Sequence, residues 1–178
     1  DMDLTAAVTV DGGLFDADNI YFGTQVGKAE TTTIKTDAVG RNISAVGVAP
    51  DRAIAKTKAT SKVTCAKEAD FKETATRTLS SMTNMTRDAH VKDVTVGAIA
   101  VGSSRAESDG EEHVTATLEG KETAKKLKAL TIRAQGSDEG RSYAQAGGGG
   151  IGGYIGASAN NKTDSTVRAE LSGAWKID

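Results

Sequence analysis

The sequence predicts an all-β chain, a parallel β-helix-like solenoid built from about 50-residue repeats, on the strength of self-similarity, strict alternation and small side chains. Val63-Thr64-Cys65-Ala66 followed by Lys72-Glu73-Thr74-Ala75 matches Val114-Thr115-Ala116-Thr117 followed by Lys121-Glu122-Thr123-Ala124. Upstream, Arg52-Ala53 matches Arg105-Ala106, so the matched positions lie 53, 51 and 49 residues apart. A third copy begins at Gly147, with Val101-Gly102-Ser103 against Ile155-Gly156-Ala157 and Leu118-Glu119-Gly120 against Leu171-Ser172-Gly173, at offsets of 54 and 53. Repetition at a fixed long period means one structural unit stacked on copies of itself. The expected units run roughly over 1–39, 40–92, 93–145 and 146–178, as a single solenoid segment.

Alternation supplies the strands. Leu4, Ala6, Val8 and Val10 share one side of the first segment. Ala55, Thr57 and Ala59 alternate with Lys56, Lys58, Thr60 and Lys62, and Val114, Ala116 and Leu118 with His113, Thr115 and Thr117. Leu130, Ile132 and Ala134, then Val167, Ala169 and Leu171, repeat the pattern. Period two with β-branched enrichment describes half-buried strands. Ile43–Val48, Val94–Val101 and the glycine-rich 146–155 are apolar on both faces, as expected between two layers or against a neighbouring chain. Breaks at 11–13, 49–51, 108–110, 136–140 and 160–162 carry the Gly, Asn, Asp, Ser or Pro chemistry of turns. One stretch dissents: Phe71, Ala75, Leu79 and Met82 have helical spacing, while Thr74, Thr76, Thr78 and Thr83 disfavour a helix. Residues 68–83 therefore read equally as one short helix or as irregular strand. With about two turns of chain per repeat, six or seven coils at roughly 4.8 Å give a rod of roughly 30 Å.

Composition narrows the interior. Hydrophobic residues make up 38% of the chain and aromatics 4%, so Ala, Gly, Thr and Val must fill a narrow, regularly stacked core. A single Pro is compatible with long uninterrupted hydrogen-bond ladders. The 22 basic and 24 acidic residues are interspersed, which gives no electrostatic footprint for nucleic acid or an acidic membrane. Cys65 is the only cysteine and lies on the apolar side of its segment, the place of a small buried hydrophobe. No apolar run is long enough to span a membrane as a helix. Asp1 stands where a start Met would, which suggests a processed product or a fragment, and a repeat running almost to Asp178 favours a fragment. An antiparallel membrane barrel would need aromatic girdles and apolar outer faces, which a mean hydropathy of −0.35 does not supply.

Catalytic, cofactor and metal sites are all read as none. The 146–153 stretch contains G-x-G-x-x-G spacings at Gly147, Gly149 and Gly152, but a turn and another alternating strand follow where a dinucleotide fold needs a helix. Gly27-Lys28 and Gly120-Lys121 resemble the end of a phosphate-binding loop, but Ala29 and Glu122 stand where Ser or Thr is required. The glycines instead suit close approach by a backbone or an aromatic ring such as Tyr154 or Trp175. His90 and His113 sit outside any ligand-spaced cluster, and Asp16-Ala17-Asp18-Asn19 lacks the glycine and distal Glu of a calcium loop. Tyr21, Phe22, Tyr143, Tyr154 and Trp175 do not recur in register, so no aromatic sugar groove is evident. Asn42, Asn84 and Asn161 head formal glycosylation sequons, which carry no meaning in a prokaryotic chain.

The segments 144–160 and 165–173, ending Val167-Arg168-Ala169-Glu170-Leu171-Ser172-Gly173, together with Leu130-Thr131-Ile132-Arg133-Ala134, resemble the repeat region of very large bacterial surface adhesins of the filamentous-haemagglutinin and leukotoxin-like type. The resemblance covers roughly residues 40 to 178. It implies a β-solenoid, an extracellular or cell-surface location, and a non-catalytic stalk or broad adhesive face. Expected partners are a host or neighbouring-cell surface protein or glycan and adjacent repeats or like subunits, without nucleic acid or membrane insertion. The alternatives are a polysaccharide-active β-helix enzyme and a self-assembling extracellular filament subunit.

Overall fold

The computed structural model describes residues 1–27, 32–66, 69–71, 76–121 and 128–174, with the side chains of Lys121 and Ala174 outside that set. All of its regular elements are strands: β1 (Met2–Val10), β2 (Gly13–Phe15), β3 (Asn19–Val26), β4 (Thr32–Ile43), β5 (Val46–Cys65), β6 (Ala69–Phe71), β7 (Thr76–Thr83), β8 (Met85–Val96), β9 (Ile99–Lys121), β10 (Ala129–Gln135), β11 (Asp138–Gly149) and β12 (Gly152–Ala174). They form four sheets, ordered β1-β5-β9-β12, β3-β7-β10, β4-β8-β11 and β2-β6, and every pairing is parallel.

The register is almost constant. Arg52 pairs with Arg105, Met85 with Asp138, Thr76 with Ala129 and Leu118 with Leu171, each at a separation of 53. Only pairings that involve the first copy differ: β1 meets β5 at a separation of 55, β3 meets β7 at 57 and β2 meets β6 at 56. In the three larger sheets the chain therefore returns to the same sheet once in 53 residues, where two passes per repeat were expected. Four strands in the longest sheet span roughly 14 Å across the stack, against roughly 65 Å along a 20-residue strand, so the segment is broad and short.

The echoes seen in the sequence are offset from this register in places. Val63 pairs with Ala116, and Val114 pairs with Ser61. The slip is two residues, which keeps both valines on the inward face. Val101 pairs with Tyr154 rather than Ile155.

Opposed layers make the core. The long sheet, read from 53 to 65, faces β8 and then β7 read backwards. Ala53 and Ala55 lie against Ala89 and Val91, Ala59 against Met85, and Val63 and Cys65 against Leu79 and Phe71. The alternating residues Ala53, Ala55, Thr57, Ala59, Ser61, Val63 and Cys65 are all buried. Bulk is concentrated at one end, where Phe15 stacks on Phe71 at 5.3 Å and meets Phe22 edge-on at 5.4 Å. At the other end alanines bring the layers close, as the small-residue composition predicts.

Nearest that alanine end, two-residue connections turn β4 into β5 (44–45), β8 into β9 (97–98) and β11 into β12 (150–151). These corners hydrogen-bond from one copy to the next, Ser44 N–H to Val96 carbonyl, Gly97 N–H to Gly149 carbonyl and Ile151 N–H to Ala98 carbonyl. The segments 43–48, 94–101 and 146–155 thus round a corner. Gly153 takes a φ of +155° next to the Ala100 carbonyl, a place where a side chain would collide with backbone.

The short helix near 68–83 is not formed. Ala69–Phe71 and Thr76–Thr83 are strands, and residues 72–75, including Thr74 and Ala75 of the spacing argument, lie outside the described residues. Pairing of β7 with β3 and β10 on its two sides overrides the helical spacing, because each strand bond is fixed by two neighbours. In a helix Leu79 and Met82 would share a face. Here Leu79 is buried and Met82 points to the half-buried outer side. Leu79→Ala is expected to cost about 2–5 kcal/mol and Met82→Ala under about 1 kcal/mol in urea unfolding. Equal costs would restore the helical reading.

Candidate functional site

Side-chain chemistry concentrates in two places, a row of buried polar groups between the layers and ladders of charge on the outer faces. The buried row is assembled by opposed layers, and the outer ladders combine the register of 53 with same-strand pairs two residues apart, such as Arg105–Glu107 and His113–Glu111.

Arg87 occupies an inward position of β8, in phase with Met85 and Ala89, and is fully buried. Its guanidinium pairs with Asp138 on the neighbouring β11, whose side chain is also almost fully buried. It further donates to Thr57 Oγ1 at 3.0 Å, Ser108 Oγ at 3.1 Å and Thr163 Oγ1 at 2.9 Å. Gly110 and Gly140 flank it, and a Cβ on either would meet the guanidinium. A few residues along, the buried Glu112 accepts from Thr83 and, at 2.7 Å, from Ser165 Oγ. The Thr24, Ser61 and Ser81 hydroxyls form a cluster at 2.8–3.4 Å. Buried charges are tolerated when paired and surrounded by donors and acceptors, and Arg87 meets that condition on three successive strands of the long sheet.

Alternation displays these residues on the apolar side, yet the sequence reading passed over Arg87, Glu112 and Asp138. The available signal was the phase of Arg87 within Met85-x-Arg87-x-Ala89-x-Val91. Arg77 is likewise inward and buried, and lies over the Phe71 ring at 4.3 Å.

The outer faces carry columns of opposite charge. Lys35, Asp88 and Arg141 align on one sheet, and Lys56, Asp109 and Lys162 on the long sheet. Asp3, Lys58, Glu111 and Asp164 form a longer column. Hydrogen bonds from His113 and then Lys58 hold the Glu111 carboxyl below its usual range, and bonds from Arg52 and Arg105 do the same for Glu107. Around the lysines opens a cleft of about 470 Å³ lined by Asp3, Lys56, Lys58, Asp109, Glu111 and Lys162, among others. Across strands Lys58 pairs with Glu111 at 3.1 Å, while Asp164 stands beside Glu111 as a like charge.

The two histidines lie on different sheets. His90 is the middle of the column Asp37–His90–Tyr143, with its ring centroid 4.7 Å from that of Tyr143. His113 Nε2 is 2.7 Å from Glu111 Oε1. Asp16 and Asp18 are exposed, between β2 and β3. Among the described residues no three His, Cys, Asp or Glu side chains converge. The glycine run forms the end of β11, a corner and the start of β12, so a strand follows it. Tyr154 lies along its own strand over Gly156, and Trp175 is outside the described residues.

Cys65 is buried with a free thiol, and burial raises its pKa from 9.0 to about 11. The folded state therefore holds this proton more tightly than the unfolded chain. The contribution is complete below pH 9 and disappears as pH rises from 9 through 11, about 1.4 kcal/mol per unit of difference. Cys65→Ala is expected to flatten that alkaline limb of the stability curve, measured by urea unfolding between pH 8 and 11. An unchanged limb would place the titration elsewhere. For the buried pair, Arg87→Met is expected to cost about 3–5 kcal/mol, and adding Asp138→Leu to cost less than the sum of the single changes. Additive costs in that cycle would mean the two groups do not interact. Comparisons of this chain with protein-family models, with curated proteins and with solved structures found no match.

Proposed function

We propose that this chain is a non-catalytic segment of a parallel β-solenoid, a stalk or broad adhesive face of a secreted or surface-anchored bacterial filament. The observation that carries the reading is the separation of 53, shared by the β5-β9-β12, β7-β10 and β8-β11 pairings. A register common to separate sheets is what a chain winding once per repeat produces, and it is costly to maintain in any arrangement that does not wind. The interior supports it: the inward stripe of one strand continues on the next, from Ala53 to Ala106 and Val63 to Ala116. Each strand buries its inner side only with neighbours in place, so length is gained by adding units. On the outer faces, paired charges spread over many strands suit a wide, weakly interacting surface for a glycan or a cell-surface protein.

Duplication of one unit tests the solenoid reading directly. Inserting a second copy of residues 93–145 after residue 145 is expected to add one strand to each of the three larger sheets, keep the circular dichroism of a β protein, and leave the unfolding midpoint equal or higher. Inserting a copy shortened by one residue reverses the inward and outward faces and is expected to lower the midpoint sharply. Equal tolerance of both insertions, or loss of folding with the complete unit, would contradict the reading.

A further inference from the structure

The corner between the sheet of β4, β8 and β11 and the long sheet carries an apolar ridge. Ile43 is 84% exposed, Val46 64%, Ile99 52%, Ile151 98% and Tyr154 69%, and Val48, Val94, Val96 and Val101 add to them. All nine are more than a third exposed, whereas contiguous exposed apolar patches beyond a few hundred Å² are rare on soluble monomers. Residues 42–50, 94–104 and 146–161 contain no charge at all.

Shape decides what such a ridge can meet. The two layers join here by two-residue connections, with sheets about 10 Å apart, and the exposed residues lie on both outer sides and on the tip. A second copy would touch only the tip, because two convex edges cannot cover each other's flanks. A deformable medium covers tip and flanks together. Charge points the same way. Set back from the ridge stand Arg41 and Lys92 on one side and Arg52 and Arg105 on the other, with Glu107 as the acid that Arg52 and Arg105 share. Two copies would bring these cations together, whereas an anionic lipid headgroup layer complements them.

We propose that the ridge seats at the surface of an anionic phospholipid bilayer, with Ile43, Ile99, Ile151 and Tyr154 at the boundary of headgroups and acyl chains and the basic residues among the headgroups. This peripheral contact departs from the sequence expectation, which omitted the membrane, and it does not depend on the stalk reading.

The full 178-residue chain is tested by co-sedimentation with vesicles of phosphatidylcholine containing about a quarter phosphatidylglycerol. It is expected to pellet with them, to bind pure phosphatidylcholine at least tenfold more weakly, and to be released several-fold as salt rises from about 0.1 M to about 1 M. Ile43→Asp with Ile151→Asp should reduce binding at least tenfold with unchanged circular dichroism, since both side chains are exposed, Ile43 at the end of β4 and Ile151 in the connection. Arg41→Glu with Lys92→Glu should abolish the preference for the anionic vesicles. As a readout of depth, Ile151→Trp should gain a blue-shifted emission component on vesicle addition. The proposal is overturned if the unmodified chain stays in solution with both vesicle types, or if the aspartate pair binds as well as it does. It is equally overturned if the ridge instead drives a concentration-dependent dimer that the aspartate pair dissociates.

Discussion

Everything in this fold depends on the parallel hydrogen-bond ladders that tie strands 53 positions apart in all pairings except those of β1, β2 and β3. The ladders fix which side chains stack, and through them what each face becomes. Because a strand alternates sides, a one-residue error would exchange core and surface along its whole length. An even slip does not, which is how Val63 and Val114 can be misaligned in the sequence by two positions and still occupy the same stripe. The extra residues carried by the first copy, where separations rise to 55, 56 and 57, leave the separation of 53 intact in every later pairing.

The interior is unusual in its division of labour. Phenylalanines and leucines fill one end, alanines close the other, and between them lies the polar row of Thr57, Arg87, Ser108, Glu112 and Asp138. Hydrophobic burial alone would allow neighbouring strands to slide by two residues at small cost. A buried guanidinium with partners on four strands allows no such movement, because a slide leaves it without Asp138 and the hydroxyls. The polar row therefore opposes the even slips that alternation permits.

Much of the architecture was legible. Alternation located the strands, the repeat located their stacking, and the small-residue composition anticipated a core built from Ala53, Ala55, Ala89 and Ala106. The buried state of Cys65 followed from its phase. What failed were readings that weighed a local pattern against partners far away. The spacing of Phe71, Leu79 and Met82 looks helical in isolation, and only the strands on both sides of β7 decide against it. The number of residues between returns to one sheet was also misjudged, since alternation counts strands but does not say which of them share a sheet. The columns Asp37–His90–Tyr143 and Lys35–Asp88–Arg141 were present as exact arithmetic in the numbering, yet they become visible only once the register is known.

The tight corners at 44–45, 97–98 and 150–151 have a mechanical consequence. With two residues each and a bond to the next copy, they contain no spare chain to pay out. A force along the strand direction is then resisted in shear by every bond of a 20-residue pairing together, instead of being peeled one bond after another. Such a sheet yields late and abruptly to a pull along its strands, and far more readily to one along the stack, which parts one strand from the next.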